Sequence, residues 1–218
     1  MKWPWEADIQ SNEKKPPCHL GAFPPAWRRE QNWYKNAADP WHGFIAPEEC
    51  ILVSKSNLAI SYSDLDRDRD ALDLRRDAYA GITRIRGPRD AITLLFANNL
   101  AVTLNKLGKQ DEAKSFLRTP ILDARRALGD DHYLTLDLCY QLGDAHARIF
   151  NESRDIEDLR MAVAMHEDVQ KRTRQIFGVA HPLTKSRQEH SETIRFAFAR
   201  AQANPSNTVF IEFRRDDC

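Results

Sequence analysis

The sequence repeats on itself with a period of 42 residues, and that period limits the possible folds more than any other feature. Asn57-Leu58-Ala59 returns as Asn99-Leu100-Ala101, and Gln141-Leu142-Gly143 follows at the same interval. Arg86-Gly87 returns as Leu128-Gly129 after 42 residues, and Phe177-Gly178 comes 49 further on. Ala71, Ala113 and Ala162 carry the same two spacings, 42 and 49, and His132-Tyr133-Leu134-Thr135 stands 49 before His181-Pro182-Leu183-Thr184. Every landmark that crosses from Leu142 to Ala162 gains seven residues, so one insertion around 149–159 accounts for all of them. Seven residues make nearly two helical turns, which a helix can absorb and still return to the same face.

Inside each unit the apolar spacing is helical. Leu94, Leu95, Leu100, Val102 and Leu104 fall in one segment, and Ala113, Phe116, Leu117, Ile121, Leu122, Ala124 and Leu128 in the next. Gly108 breaks the two with a tight turn. The pattern predicts helices over 47–62, 67–85, 90–106, 110–127, 133–152, 155–176 and 183–201. Small residues (Ala59, Ala101 and Gly143; Ala71, Ala113 and Ala162) are expected where paired helices approach closely. Pro120 is expected to kink its helix. The last helix presents Arg187, Glu189, Glu192 and Arg195 as a polar outer face, as the end of a stack requires. The fold class is therefore all-α: about three helical hairpins plus a capping helix.

Asn-Leu-Ala, a Gly turn, Asp111-Glu112-Ala113, Leu128-Gly129 and His-x-Leu-Thr at this period resemble the kinesin light chain type of tetratricopeptide repeat. The resemblance spans 47–201 and implies a TPR-like α-solenoid. The first unit departs from it with Asp90-Ala91-Ile92-Thr93. The fourth has Glu189-His190-Ser191 in place of Asn-Leu-Ala, and no heptad coiled coil accompanies the repeats.

The ends differ in composition. All five tryptophans, Trp3, Trp5, Trp27, Trp33 and Trp41, precede residue 42, and seven of the eleven prolines precede residue 51. Residues 1–46 read as an irregular Trp/Pro-rich arm, too aromatic for an ordinary disordered tail, which packs as a cap on the first hairpin or inserts into a groove. Residues 202–218 read as an extended tail with a strand-like run at 208–213.

No phosphate loop, dinucleotide fingerprint or H-E-x-x-H motif is present, so no catalytic residue and no cofactor is assigned. Nor is a metal site: Cys18 and His19 have no second ligand pair, and His132 and His181 read as helix N-terminal residues. The run Asp64, Asp66, Asp68, Asp70 is interleaved with Arg67 and Arg69, and reads as a solvated turn. Equal numbers of acidic and basic residues, 32 each, give no general pull toward nucleic acid or membrane. There is no apolar run long enough to span a bilayer and no secretion signal, and the four cysteines form no C-x-x-C pair. These point to a reduced, cytoplasmic protein.

The resemblance implies a groove lined by the first helix of each hairpin. Its residues by register are Ser56, Asn98, Asn99, Val102, Asn105, Tyr140 and Asp144, with Asn98-Asn99 matching the tandem asparagines that hold extended peptides in kinesin light chains. Trp3 and Trp5 are the arm's candidate contacts, since Trp5-Glu6-Ala7-Asp8 resembles the tryptophan-plus-acid peptides such grooves accept. The expected function is a non-catalytic scaffold or adaptor that binds a protein or peptide. The alternative is a structural subunit of a larger assembly, anchored by its arm and tail.

Overall fold

The computed structural model describes residues 47–203 and 210–211, all within one compact unit, Ile45–Cys218. The tryptophan-rich arm and most of the tail lie outside the described residues. Among the described residues seven helices follow one another: α1 (Pro47–Asp64), α2 (Asp68–Arg86), α3 (Ala91–Lys106), α4 (Gln110–Leu128), α5 (Tyr133–Ser153), α6 (Ile156–Phe177) and α7 (Pro182–Ala203). Each packs on its chain neighbours, and α3 also runs along α5, which makes three stacked hairpins and a closing helix. The helix ends lie within two residues of those the periodicity predicts.

The odd-numbered helices after the first begin on one shared device. Asp90 Oδ1 accepts from the Ile92 amide at 2.9 Å, His132 Nδ1 from Leu134 at 3.2 Å, and His181 Nδ1 from Leu183 at 3.2 Å. Each acceptor satisfies an amide that has no partner inside its helix. The first unit departs from His-Pro-x-Thr in sequence, yet its carboxylate makes the same hydrogen bond. Three residues beyond each cap lies a buried threonine, Thr93, Thr135 or Thr184. Thr135 Oγ1 donates to the Gly129 carbonyl at 2.7 Å and so ties the start of α5 to the end of α4. The junction glycines Gly87, Gly129 and Gly178 have φ of 85°, 92° and 81°. A Cβ at any of them would meet open space, so the backbone angle alone calls for glycine.

The core forms between hairpins. Leu94, Ala97 and Ala101 of α3 meet Leu117, Ile121 and Ala124 of α4 and Leu134 and Leu138 of α5. Leu52 of α1 is covered by Ala78 and Ile82 of α2 and Phe96 of α3. Tyr79 and Phe116 bridge α2 and α4 edge to face, with ring centroids 5.2 Å apart. The alanines at the repeat positions, Ala59, Ala71, Ala101, Ala113 and Ala162, are all fully buried. Gly143 takes the place of Ala101 because a Cβ there would lie 2.7 Å from His166 Nε2.

Three features differ from the sequence reading. The seven extra residues are not absorbed by one helix. α5 has 21 residues against 16 in α3, α6 has 22 against 19 in α4, and the turn between them is shorter. Both arms of the third hairpin therefore extend beyond those of the second at their shared turn. The closing helix is less polar outside than expected: Arg187 is buried, pairing with Asp137 and donating to Thr173 Oγ1 at 2.5 Å, while Phe196 is 65% exposed. Phe210 and Ile211, from the strand-like run, are not in a strand. Among the described residues no helix is long and apolar enough to cross a membrane.

Leu138 and Leu122 separate core from surface. Leu138→Ala, at a fully buried site, should cost about 2–5 kcal/mol in urea denaturation, whereas Leu122→Ala, on the exposed side of α4, should leave the midpoint nearly unchanged.

Candidate functional site

The residues assigned to the groove by register divide into two groups. Asn98, Asn99 and Val102 on α3 are half-buried and keep exposed surface. The Asn98 side-chain oxygen is buried with no hydrogen-bond partner among the described residues. The Asn99 carbonyl accepts from Arg75 Nη1 at 2.8 Å and from Thr103 Oγ1 at 3.1 Å. Ser56 and Tyr140 are buried. Asn105 and Asp144 are 0% and 1% exposed and are used inside the fold rather than on a surface. Asn105 Nδ2 donates to the Gln141 carbonyl at 2.9 Å and to Gln141 Oε1 at 3.2 Å, which fixes α3 against α5. Trp3 and Trp5 lie outside the described residues.

Asp144 sits at the centre of a buried polar cluster made by three helices. Its Oδ1 lies 2.9 Å from His190 Nε2 on α7 and 3.2 Å from His166 Nε2 on α6. The His166 contact has the distance of an ion pair without the alignment of a hydrogen bond, and neither ring nitrogen of His166 has a hydrogen-bond partner among the described residues. Tyr140 stands edge-on to His166 with centroids 4.8 Å apart, and the Arg187 guanidinium lies 5.6 Å above the Tyr140 ring. Burial opposes the Asp144 charge, but the two imidazoles at its oxygen outweigh burial and hold the carboxyl at about 2. Burial also lowers the His166 pKa, partly offset by Asp144. No metal ligand was expected from the sequence, yet three metal-ligating side chains, one carboxylate and two imidazoles, converge here. Each comes from a different helix, so no short motif announces them.

The second constellation holds the tail. Asn151 Nδ2 donates to the Ile211 carbonyl at 2.8 Å, and the Ile211 amide donates to Asn151 Oδ1 at 3.0 Å. One side-chain amide thus satisfies both backbone groups of one residue. The Ile211 side chain is buried among Ala147 and Phe150 of α5, Leu159 and Ala162 of α6, and Ile194 and Ala197 of α7. The Arg154 guanidinium covers the Phe210 ring at 3.9 Å, from a residue whose own backbone is left-handed, φ 62°. Phe150, Asn151 and Arg154 all lie in the seven-residue extension. The break in the period was the one sequence signal for this site, although it did not identify these residues.

A family model of tetratricopeptide repeats matches residues 93–133, which run from α3 through α4 to the first residue of α5. A search of curated proteins finds no match to the chain.

Acid should destabilise the fold in two stages. The folded pKa of His166 is below its unfolded value of 6.5, so below that pH the unfolded chain binds a proton that the fold refuses. Stability present above the unfolded pKa is then lost as pH falls, with a slope of up to about 1.4 kcal/mol per pH unit. Asp144, held at about 2, adds a second loss from about pH 4 downward. Urea midpoints measured with chelator present should fall between pH 7.5 and 5.5, and His166→Gln should flatten that fall.

Proposed function

We propose that this chain is a non-catalytic interaction scaffold whose odd-helix face takes a non-helical peptide segment of a protein partner. Tetratricopeptide repeats in general mediate protein–protein interaction, and the matched repeat at 93–133 lies next to the face in question. The observation that carries the reading is the Asn151–Ile211 pair: an amide on an odd helix engages both backbone groups of one residue, while that residue's side chain enters an apolar pocket. A backbone amide and carbonyl are common to every non-proline residue, so such a clamp accepts many sequences, and the pocket selects an aliphatic side chain.

The resemblance to kinesin light chain repeats adds the finer part. Asn98, Asn99 and Val102 extend the same face along α3, where each residue keeps some exposed surface. Ser56 and Tyr140 flank them, and Trp3 and Trp5 of the arm are candidate competitors for the face. A cytoplasmic setting suits the free thiols of Cys50 and Cys139. A second reading, a structural subunit of a larger assembly, is favoured by Phe196, whose exposed ring on α7 suits a further neighbour.

A labelled peptide of residues 206–214 tests the scaffold reading by fluorescence anisotropy. A chain ending at Ala203 should bind it, the full chain should bind it more weakly because the tail competes at high effective concentration, and Asn151→Ala in the shortened chain should weaken it at least about tenfold, the loss of two buried hydrogen bonds. Equal, weak binding by all three would move the partner site away from the odd-helix face.

A further inference from the structure

We propose that Asp144, His166 and His190 are the protein ligands of one divalent transition-metal ion of the zinc type, which joins α5, α6 and α7. Each helix supplies one ligand, and the three ligand atoms lie within 4.8 Å of one another. The two separations from Asp144 Oδ1 are 2.9 and 3.2 Å. Ligands about 2.0–2.1 Å from a tetrahedral ion stand about 3.3 Å apart, so the two separations from Asp144 need to open by only a few tenths of an ångström. Three protein ligands suit an ion whose remaining position goes to water or another small ligand.

The donor set selects the class of ion. Two imidazoles and a carboxylate suit zinc and its first-row neighbours, whereas calcium and magnesium take oxygen donors. Asp144 pairs with His190 Nε2 at 2.9 Å, and a cation between them would neutralise its charge more fully. Asp144 is 1% exposed, and a buried carboxylate is stable only when paired. Arg187, the guanidinium of this region, is already engaged by Asp137 and Thr173.

His166 gives the independent observation. It is 2% exposed, and both its ring nitrogens lack hydrogen-bond partners among the described residues. An ion between Nε2 and Asp144 would satisfy that nitrogen and account for a close approach that lacks hydrogen-bond alignment. Gly143 is consistent with this, because any side chain there would come 2.7 Å from the same Nε2 atom. Bound at this point, the ion braces the closing helix, which also forms one wall of the Ile211 pocket through Ile194 and Ala197.

The test uses the full chain, stripped with chelator and titrated with Co2+ and then Zn2+. The expected result is one equivalent of Co2+ with strong visible bands, displaced by Zn2+, and a raised melting temperature with either ion. Changes outside the coordination sphere already cost about 10–100-fold in affinity, so His190→Asn and Asp144→Asn should lose at least that much, while His146→Asn retains binding. Circular dichroism of each variant checks that it remains folded; if one does not, the wild-type cobalt spectrum still decides, by showing nitrogen and oxygen ligation or the spectrum of the free aqua ion. The aqua-ion spectrum with folded wild-type protein would overturn the proposal and leave a hydrogen-bonded cluster. Binding that survives in both folded ligand variants would overturn it too, by placing the ion elsewhere.

Discussion

Packing of helix against helix at fully buried small residues is the contact on which the rest of the structure depends. Ala59 and Ala101 on the first helices of their hairpins, and Ala71, Ala113 and Ala162 on the second, are fully buried. A larger side chain at any of them would push two helices apart, and because each hairpin rests on the next, the displacement would pass along the stack. The capped junctions set the angle at which each hairpin meets its neighbour. A left-handed glycine, a side-chain acceptor at the helix start and a buried threonine recur together, and two chemically different caps, aspartate and histidine, make the same hydrogen bond.

The third hairpin departs from this regularity. Its extra residues lengthen both helices at their shared turn, and they carry Phe150, Asn151 and Arg154 beyond the end of the second hairpin. There they meet Phe210 and Ile211 of the tail. The backbone hydrogen-bonding groups of Ile211 need partners once its side chain is buried, and Asn151 supplies both. The same hairpin differs in its interior. Gly143 and Asp144 replace the Ala101 and Val102 of the previous unit, and His190 stands nine residues after its cap, as Asn99 and Gln141 do. The valine position has thus become a buried carboxylate, and the alanine position has lost its Cβ where His166 lies, while the backbone repeat is kept.

The helices, their ends to within two residues, the buried alanines and the place of the insertion were legible in the sequence, because each follows from local periodicity or turn chemistry. His132 and His181 were also legible as helix-start residues, since capping acts over two residues of chain. The register of the fourth unit was legible only in part. Measured from its cap, His190 rather than Glu189 occupies the Asn99 position. Arg187 looked like surface on its helix, and Asn105 and Asp144 looked like groove, because a helical wheel shows which residues share a face but not what covers that face.

Local periodicity alone therefore determined that this chain is a stack of helical hairpins with a lengthened third unit. What the sequence left open was which polar residues become interior. Asp144, His166 and His190 lie on three different helices, and Asn151 and Ile211 are 60 residues apart. Their meeting depends on the angles at which hairpins stack and on the helix length gained at one turn. Those are sums over many packed contacts, so only the tertiary structure could decide them.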